Sequence, residues 1–224
     1  MGVSFDLFDT LVTADYPTDP AAAIATELES RDISVPDDWA DAYTEVHIDA
    51  PAGAEIPLPA HVSRALASRG VEFSGNVPRR AVVSAFDPAV ETRPGAREAI
   101  EAARSRSGGQ DHAVALCSNC SVPELVGRTL VRSELTREDF DAIVTSVGCG
   151  WRKPAPEIFE VTADELGIEP SELVHIGDDP RTDGGVEAVG GTALLLDADV
   201  EPTARTRLPN LGALADRLDA LEVT

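Results

Sequence analysis

Five short apolar runs, each giving way to polar residues, constrain the chain more than any other feature. They are Val3 to Phe8, Ala113 to Cys117, Ile143 to Thr145, Leu173 to Ile176 and Ala193 to Leu196. Runs of this length between turn residues read as buried strands. Helical patterns lie between them. Pro94-Gly95 opens one with Ala99, Ile100 and Ala103 on one face, and Gly108-Gly109 closes it. Pro123 opens a second, and Pro156 to Leu166 forms a third with Ile158, Phe159 and Leu166. A fourth is expected around Val186. The last carries Leu211, Leu214, Leu218 and Leu221 at helical spacing. This alternation predicts an α/β fold, a doubly wound parallel sheet covered on both faces.

Between Asp15 and about Pro88 no comparable strand appears. Helical patches occur instead at Ala22 to Leu28, Trp39 with Tyr43 and Val46, Val62 to Leu66, and Val82 to Phe86. Prolines at 17, 20, 51, 57, 59 and 78 punctuate them. The pattern predicts an all-helical cap over 15–88, set into a core made of 1–14 and 89–224. Trp39, Tyr43 and Val46 share a face and are expected to pack inward, while His47 and His61 are expected to face solvent.

In a parallel α/β sheet, ligands bind beyond the carboxyl ends of the strands. The first run leads into Asp6-Leu7-Phe8-Asp9-Thr10 and the second into Ser118-Asn119. The loop after the third holds Gly150-Trp151-Arg152-Lys153-Pro154, and the fourth leads into Gly177-Asp178-Asp179-Pro180-Arg181-Thr182-Asp183. Together they gather carboxylates, a hydroxyl, an amide and an ammonium on one edge. That set suits phosphoryl transfer, because a carboxylate can attack phosphorus. Mg²⁺ is satisfied by one or two carboxylates plus phosphate oxygen. Lysine, serine and asparagine can meet the charge on the transferring group.

These segments, in this order, resemble the haloacid dehalogenase superfamily. The matching pieces are Phe5-Asp6-Leu7-Phe8-Asp9-Thr10-Leu11, Leu116-Cys117-Ser118-Asn119, Lys153-Pro154-Ala155-Pro156-Glu157-Ile158-Phe159, and Gly177-Asp178 with Asp183. The resemblance covers residues 1 to about 14 and about 90 to 200. It implies a core with a helical cap between the first two motifs. It also implies a Mg²⁺-dependent hydrolase of small phosphate monoesters. Asp6 is then the nucleophile and a metal ligand, and Thr10 orients its loop. Ser118 and Asn119 hold phosphate oxygens, and Lys153 bridges nucleophile and phosphoryl group. Asp178 and Asp183 serve the metal, with the Phe8 carbonyl a further ligand. Lys153 carries weight of its own as the sole lysine beside seventeen arginines. A compact ammonium fits between anions where a planar guanidinium does not.

One position departs from the pattern. Phosphatases of this superfamily carry an acid-base aspartate two residues after the nucleophile, where this chain has Phe8. General acid-base catalysis is typically worth about 10²–10⁴-fold, and a phenyl ring cannot supply it. Asp9 can replace the acid only if its loop turns it inward; otherwise it is a turn residue. The superfamily's metal-independent 2-haloacid dehalogenases lack the same aspartate, but they also lack the Gly-Asp pair kept here at Gly177-Asp178. A catalytically weak phosphate-binding protein is the third reading.

Composition narrows the partners. Eighteen basic against forty acidic residues give a formal net charge of −22. That disfavours a nucleic-acid groove and an anionic membrane surface. No apolar stretch approaches a membrane span, and Asp6 and Asp9 come too early for a secretory leader. Three cysteines make no disulfide framework, so a cytoplasmic protein is expected. Cys117-Ser118-Asn119-Cys120 resembles a redox pair, but the second motif already accounts for it. His175 reads as a packed core residue, and Asp141 as solvated surface. Acidity with one lysine points to a salt-adapted, halophilic chain.

Overall fold

The computed structural model describes residues 1–105, 112–196 and 207–222. Gly108-Gly109 lie outside the described residues, and the helix expected to end there already stops at Arg104, with Ser105 extended. In chain order the strands are β1 (Gly2–Phe5), β2 (Val12–Ala14), β3 (Val90–Thr92), β4 (Ala113–Ser118), β5 (Ala142–Thr145), β6 (Leu173–Gly177), β7 (Thr192–Leu196) and β8 (Arg207–Leu208). The helices are α1 (Pro20–Glu29), α2 (Trp39–Thr44), α3 (Leu58–Ser68), α4 (Val77–Ala85), α5 (Ala96–Arg104), α6 (Leu125–Arg132), α7 (Ser146–Cys149), α8 (Pro156–Leu166) and α9 (Leu214–Glu222).

Six strands form one sheet in the order β5-β4-β1-β6-β7-β8, and each neighbouring pair is parallel. Every residue of β1 is buried, as a central strand covered on both faces requires. From β1 the chain builds outward through β4 and β5, then returns to the other side for β6, β7 and β8. The reversal at β1 opens a crevice beyond its carboxyl end, between the ends of β4 and β6. All five predicted strands are present in this sheet.

The departures have local causes. β1 stops at Phe5 rather than Phe8, because the Leu7 carbonyl accepts from the amides of Leu11 and Val12 and curls the chain into a loop. β2 and β3 form an antiparallel ribbon, pairing Val12 with Thr92 and Ala14 with Val90. Three residues per strand are too few to show a period, so the sequence does not reveal it. The ribbon draws together the two ends of the helical excursion. The element expected around Val186 is a 3-10 run, Asp183–Val189. Within it Gly185 packs so closely on Pro154 that a β-carbon would overlap it.

In the excursion, α1 and α3 both pack on α4. Trp39 is buried, and its indole Nε1 donates to the Ala21 carbonyl at 2.9 Å. Val46 does not join it: α2 ends at Thr44, Glu45 turns to extended backbone, and Val46 is 90 % exposed. His47 and His61 are half-buried rather than solvent-facing. Their Nε2 atoms donate to the carbonyls of Ala42 and Tyr43, at 2.6 and 2.7 Å. Asp141 is exposed but not idle, since it accepts from the Val114 amide at 2.8 Å and pairs with Arg104.

The excursion is stapled to the sheet by main-chain bonds. Glu55 N donates to Gly150 O at 2.8 Å, Arg152 N to Gly53 O at 2.9 Å, and Leu58 N to Ser121 O at 2.8 Å. Beneath them the buried Glu55 carboxylate accepts from the Ser146 hydroxyl at 2.6 Å, which itself accepts from the Cys120 amide. Among the described residues no helix is long and apolar enough to cross a membrane.

Candidate active site

Lys153 is the centre of the crevice. Its side chain is 1 % exposed, and Nζ lies 3.0 Å from Asp6 Oδ1 and 2.6 Å from Asp183 Oδ1. Burial alone would lower the pKa of this ammonium, but the charges of Asp6 and Asp183 reverse that and raise it. It is therefore a fixed cation with one face against the nucleophile candidate. Asp6 follows the end of β1, and its amide still donates to the Ile176 carbonyl at 2.8 Å. The carboxylate is thus aimed from the middle of the sheet.

Asp183 is held on every side. Oδ1 accepts from Lys153 and from His175 Nε2 at 3.0 Å, and Oδ2 accepts from the Asp179 amide at 3.0 Å. Burial opposes its charge, yet the His175 hydrogen bond and Lys153 hold its carboxyl well below the usual carboxylate range. Burial keeps His175 neutral, so Nδ1 accepts from the Ser4 hydroxyl at 2.8 Å while Nε2 donates to Asp183. His175 is a packed core residue, edge-on to Phe159, as its place in β6 suggests. Its link to Asp183 carries no sequence signal. Gly177 has a similar hidden requirement, because a β-carbon there would overlap the Asp183 carboxylate.

Asp178 completes the carboxylate group. One oxygen each from Asp6, Asp178 and Asp183 lie within 4.8 Å of one another. Burial pushes the Asp178 carboxyl up to about 6; a hydrogen bond from Thr10 opposes this, and the nearby carboxylates add to it. Thr10 is buried, and its hydroxyl donates to Asp178 Oδ1 at 3.0 Å, tying the first loop to the fourth. A bound dication would favour the charged form of a carboxyl raised in this way.

Two expectations change. The Asn119 carboxamide is bonded to the main chain of Lys153, Oδ1 accepting from its amide at 2.7 Å and Nδ2 donating to its carbonyl at 3.0 Å. It braces the lysine loop rather than reaching for phosphate. Asp9 is not turned inward; it is exposed, outside the carboxylate group, at φ 61°. Its amide and carbonyl are taken by Val12 and Arg93, the pattern of a turn residue. Ser118, by contrast, is fully buried with a hydroxyl that has no partner. Native structures rarely leave such a group unpaired, and a bound ligand oxygen would satisfy it.

Cys117 and Cys120 are free, and burial pushes both thiols up to about 11, the reverse of an activated pair.

The profile of the haloacid dehalogenase-like hydrolases matches residues 1–186. The chain belongs to that family. Among curated relatives, haloacid dehalogenase-like hydrolase domain-containing protein 3 of Bos taurus is 38 % identical over 38 % of each chain. The match thus spans well under half of that relative's length. A phosphoserine phosphatase of Thermus thermophilus is 29 % identical, over 77 % of this chain and 68 % of its own. Among solved structures, a 2-haloacid dehalogenase from Pseudomonas syringae aligns over 98 % of both chains at TM-score 0.64 and 17 % identity. A phosphatase of the superfamily from Thermococcus onnurineus aligns over 97 % of both at TM-score 0.60 and 19 % identity. At these identities the structural likeness shows the shared fold.

Proposed function

We propose that the chain hydrolyses small phosphate monoesters through an aspartyl-phosphate on Asp6, with Mg²⁺ held at the ends of β1 and β6. What supports this reading is Lys153 beside Asp6, the carboxylates of Asp6, Asp178 and Asp183 within reach of one ion, and an unpartnered buried Ser118 hydroxyl at the end of β4, the neighbour of β1. The donor set fits a hard dication: the carboxylates of Asp6 and Asp178, to which the family resemblance adds the Phe8 carbonyl. Asp183 has both oxygens engaged, so it holds Lys153 in place and would support the metal site rather than supply a free ligand oxygen. The bound ion would offset the charge of the nucleophile and the incoming phosphate.

The chain's own groups do the rest. Asp6 attacks phosphorus, and the bond to the leaving oxygen breaks. Lys153 stabilises charge on the transferring group, and Ser118 donates to one of its oxygens. Thr10 keeps Asp178 oriented, and Asn119 keeps the lysine loop in register. The helices of 15–88 act as a cap that limits water and substrate size. Free thiols fit a reducing cytoplasm.

Hydrolysis of p-nitrophenyl phosphate is expected with Mg²⁺, and not with chelator or in Asp6→Asn. Chloride release from 2-chloropropionate without metal would instead establish the dehalogenase reading.

A further inference from the structure

The ring that stands where an acid is expected has an unusual neighbour. Tyr16 lies between β2 and α1, with its ring edge-on to Phe8 at 5.4 Å and tilted against Phe86 at 6.2 Å. Its hydroxyl is buried and, like that of Ser118, has no partner. Its contact with Phe8, two residues after Asp6, sets it beside the first loop, near enough to feel the charges of Asp6 and Asp9. A phenolic hydroxyl is a ready hydrogen-bond donor. Two buried hydroxyls are thus unpaired near the first loop, one at the end of β4, the neighbour of β1, and one on the ring packed against Phe8.

We propose that the Tyr16 hydroxyl is a substrate-binding group donating to the leaving-group oxygen, and that Phe8, Tyr16 and Phe86 select phosphate esters of aryl-type leaving groups. This rests on the phosphatase reading. In-line displacement puts the leaving oxygen away from Asp6. Tyr16, against Phe8 at the entrance to the excursion, is assigned to that side. The new bond joins an Asp6 oxygen to phosphorus, and the bond to the ester oxygen breaks with its electron pair on that oxygen. With phenyl at position 8, no carboxyl is there to protonate it. A stabilised aryloxide can leave as the anion, held by the Tyr16 hydrogen bond. Water then attacks phosphorus and frees the Asp6 carboxylate and inorganic phosphate. The proton released balances the one the aryloxide takes from solvent. The three rings supply an apolar wall for an aromatic group.

The test compares the wild type with Tyr16→Phe, which keeps the ring. The esters are p-nitrophenyl and phenyl phosphate, with ethyl phosphate as the alkyl member, in Mg²⁺. The wild type should prefer the aryl esters by at least about 10²-fold, because an alkoxide leaving without a general acid forfeits a contribution of that scale. Tyr16→Phe should lose about tenfold or more on phenyl phosphate and far less on p-nitrophenyl phosphate, steepening the dependence on leaving group. Its melting temperature should not fall, because the hydroxyl it removes has no partner. An equal loss on all esters, no loss, a lowered melting temperature, or ethyl phosphate turned over as fast as phenyl phosphate would overturn the proposal while the phosphatase reading stands. Hydrolysis of none of the three would remove both.

Discussion

Asp178 sits half-buried beside Asp6 and Asp183, with its carboxyl held at about 6 instead of 3.8. A carboxyl raised in the folded state favours folding while it is protonated. That contribution is complete below about pH 4 and is lost as the pH rises through 6. At neutral pH the metal-free protein therefore carries a strained charge. Asp178→Asn should raise the melting temperature in chelator at pH 7 by a few degrees, about 1 kcal/mol once partial exposure is discounted. It should give no gain at pH 4, and it should abolish Mg²⁺-dependent hydrolysis. Equal melting temperatures at pH 7 would show that charging this half-buried carboxyl carries no such cost. For the intact protein, Mg²⁺ affinity should weaken as pH falls below about 6, as calorimetric titration would reveal. Lys153 shows how far one residue is legible alone. A sole lysine among arginines marks a position where a compact ammonium is required, and the structure encloses it between two carboxylates. Tyr16 and His175 are silent by comparison, because their importance lies in which distant groups they meet.

Among elements, the junction of β6 with the following 3-10 run sets the tolerances of the site. Gly177 leaves no space for a β-carbon beside Asp183, whose carboxylate is fixed by Lys153, His175 and the Asp179 amide. Gly177→Ala must therefore displace either the strand end or the lysine partner. A cost of about 1–3 kcal/mol in urea unfolding is expected, the range for overpacked interiors, with hydrolysis lowered at least about tenfold. The long strands and α8 were readable because their apolar residues repeat over enough positions to define a period. The β2–β3 ribbon and the 3-10 run were not, since three-residue strands and glycine-rich turns are dictated by contacts made elsewhere. Val46 fails for the same reason in reverse. Its helical spacing continues the pattern of Trp39 and Tyr43, but the helix ends two residues earlier.

At the scale of the whole molecule, the charge of −22 must be carried by a small surface. Arginines are spread through it in pairs such as Arg69 with Glu45 and Asp38, and Arg104 with Asp141. Exposed pairs of this kind contribute little, about 0–1 kcal/mol each. They cannot offset the mutual repulsion of forty acidic side chains. Molar salt shortens the screening length to about 3 Å and removes most of that repulsion. The melting temperature should thus fall clearly when KCl is lowered from about 2 M to 0.1 M, where the screening length is about 10 Å. A melting temperature independent of KCl would end the salt-adapted reading.

Sequence alone determined the parallel α/β architecture, the helical excursion after the first strand, and the four strand-end segments that carry chemistry. Periodicity and residue type are local properties, and a parallel sheet brings its strand ends together whatever the details. Only the tertiary structure decided what each side chain meets there. It spends Asn119 on the lysine loop, encloses Asp183 from all sides, turns Asp9 outward, and leaves the hydroxyls of Ser118 and Tyr16 unpaired. Those outcomes depend on distances between residues far apart in the chain, and no spacing along the chain encodes such a distance.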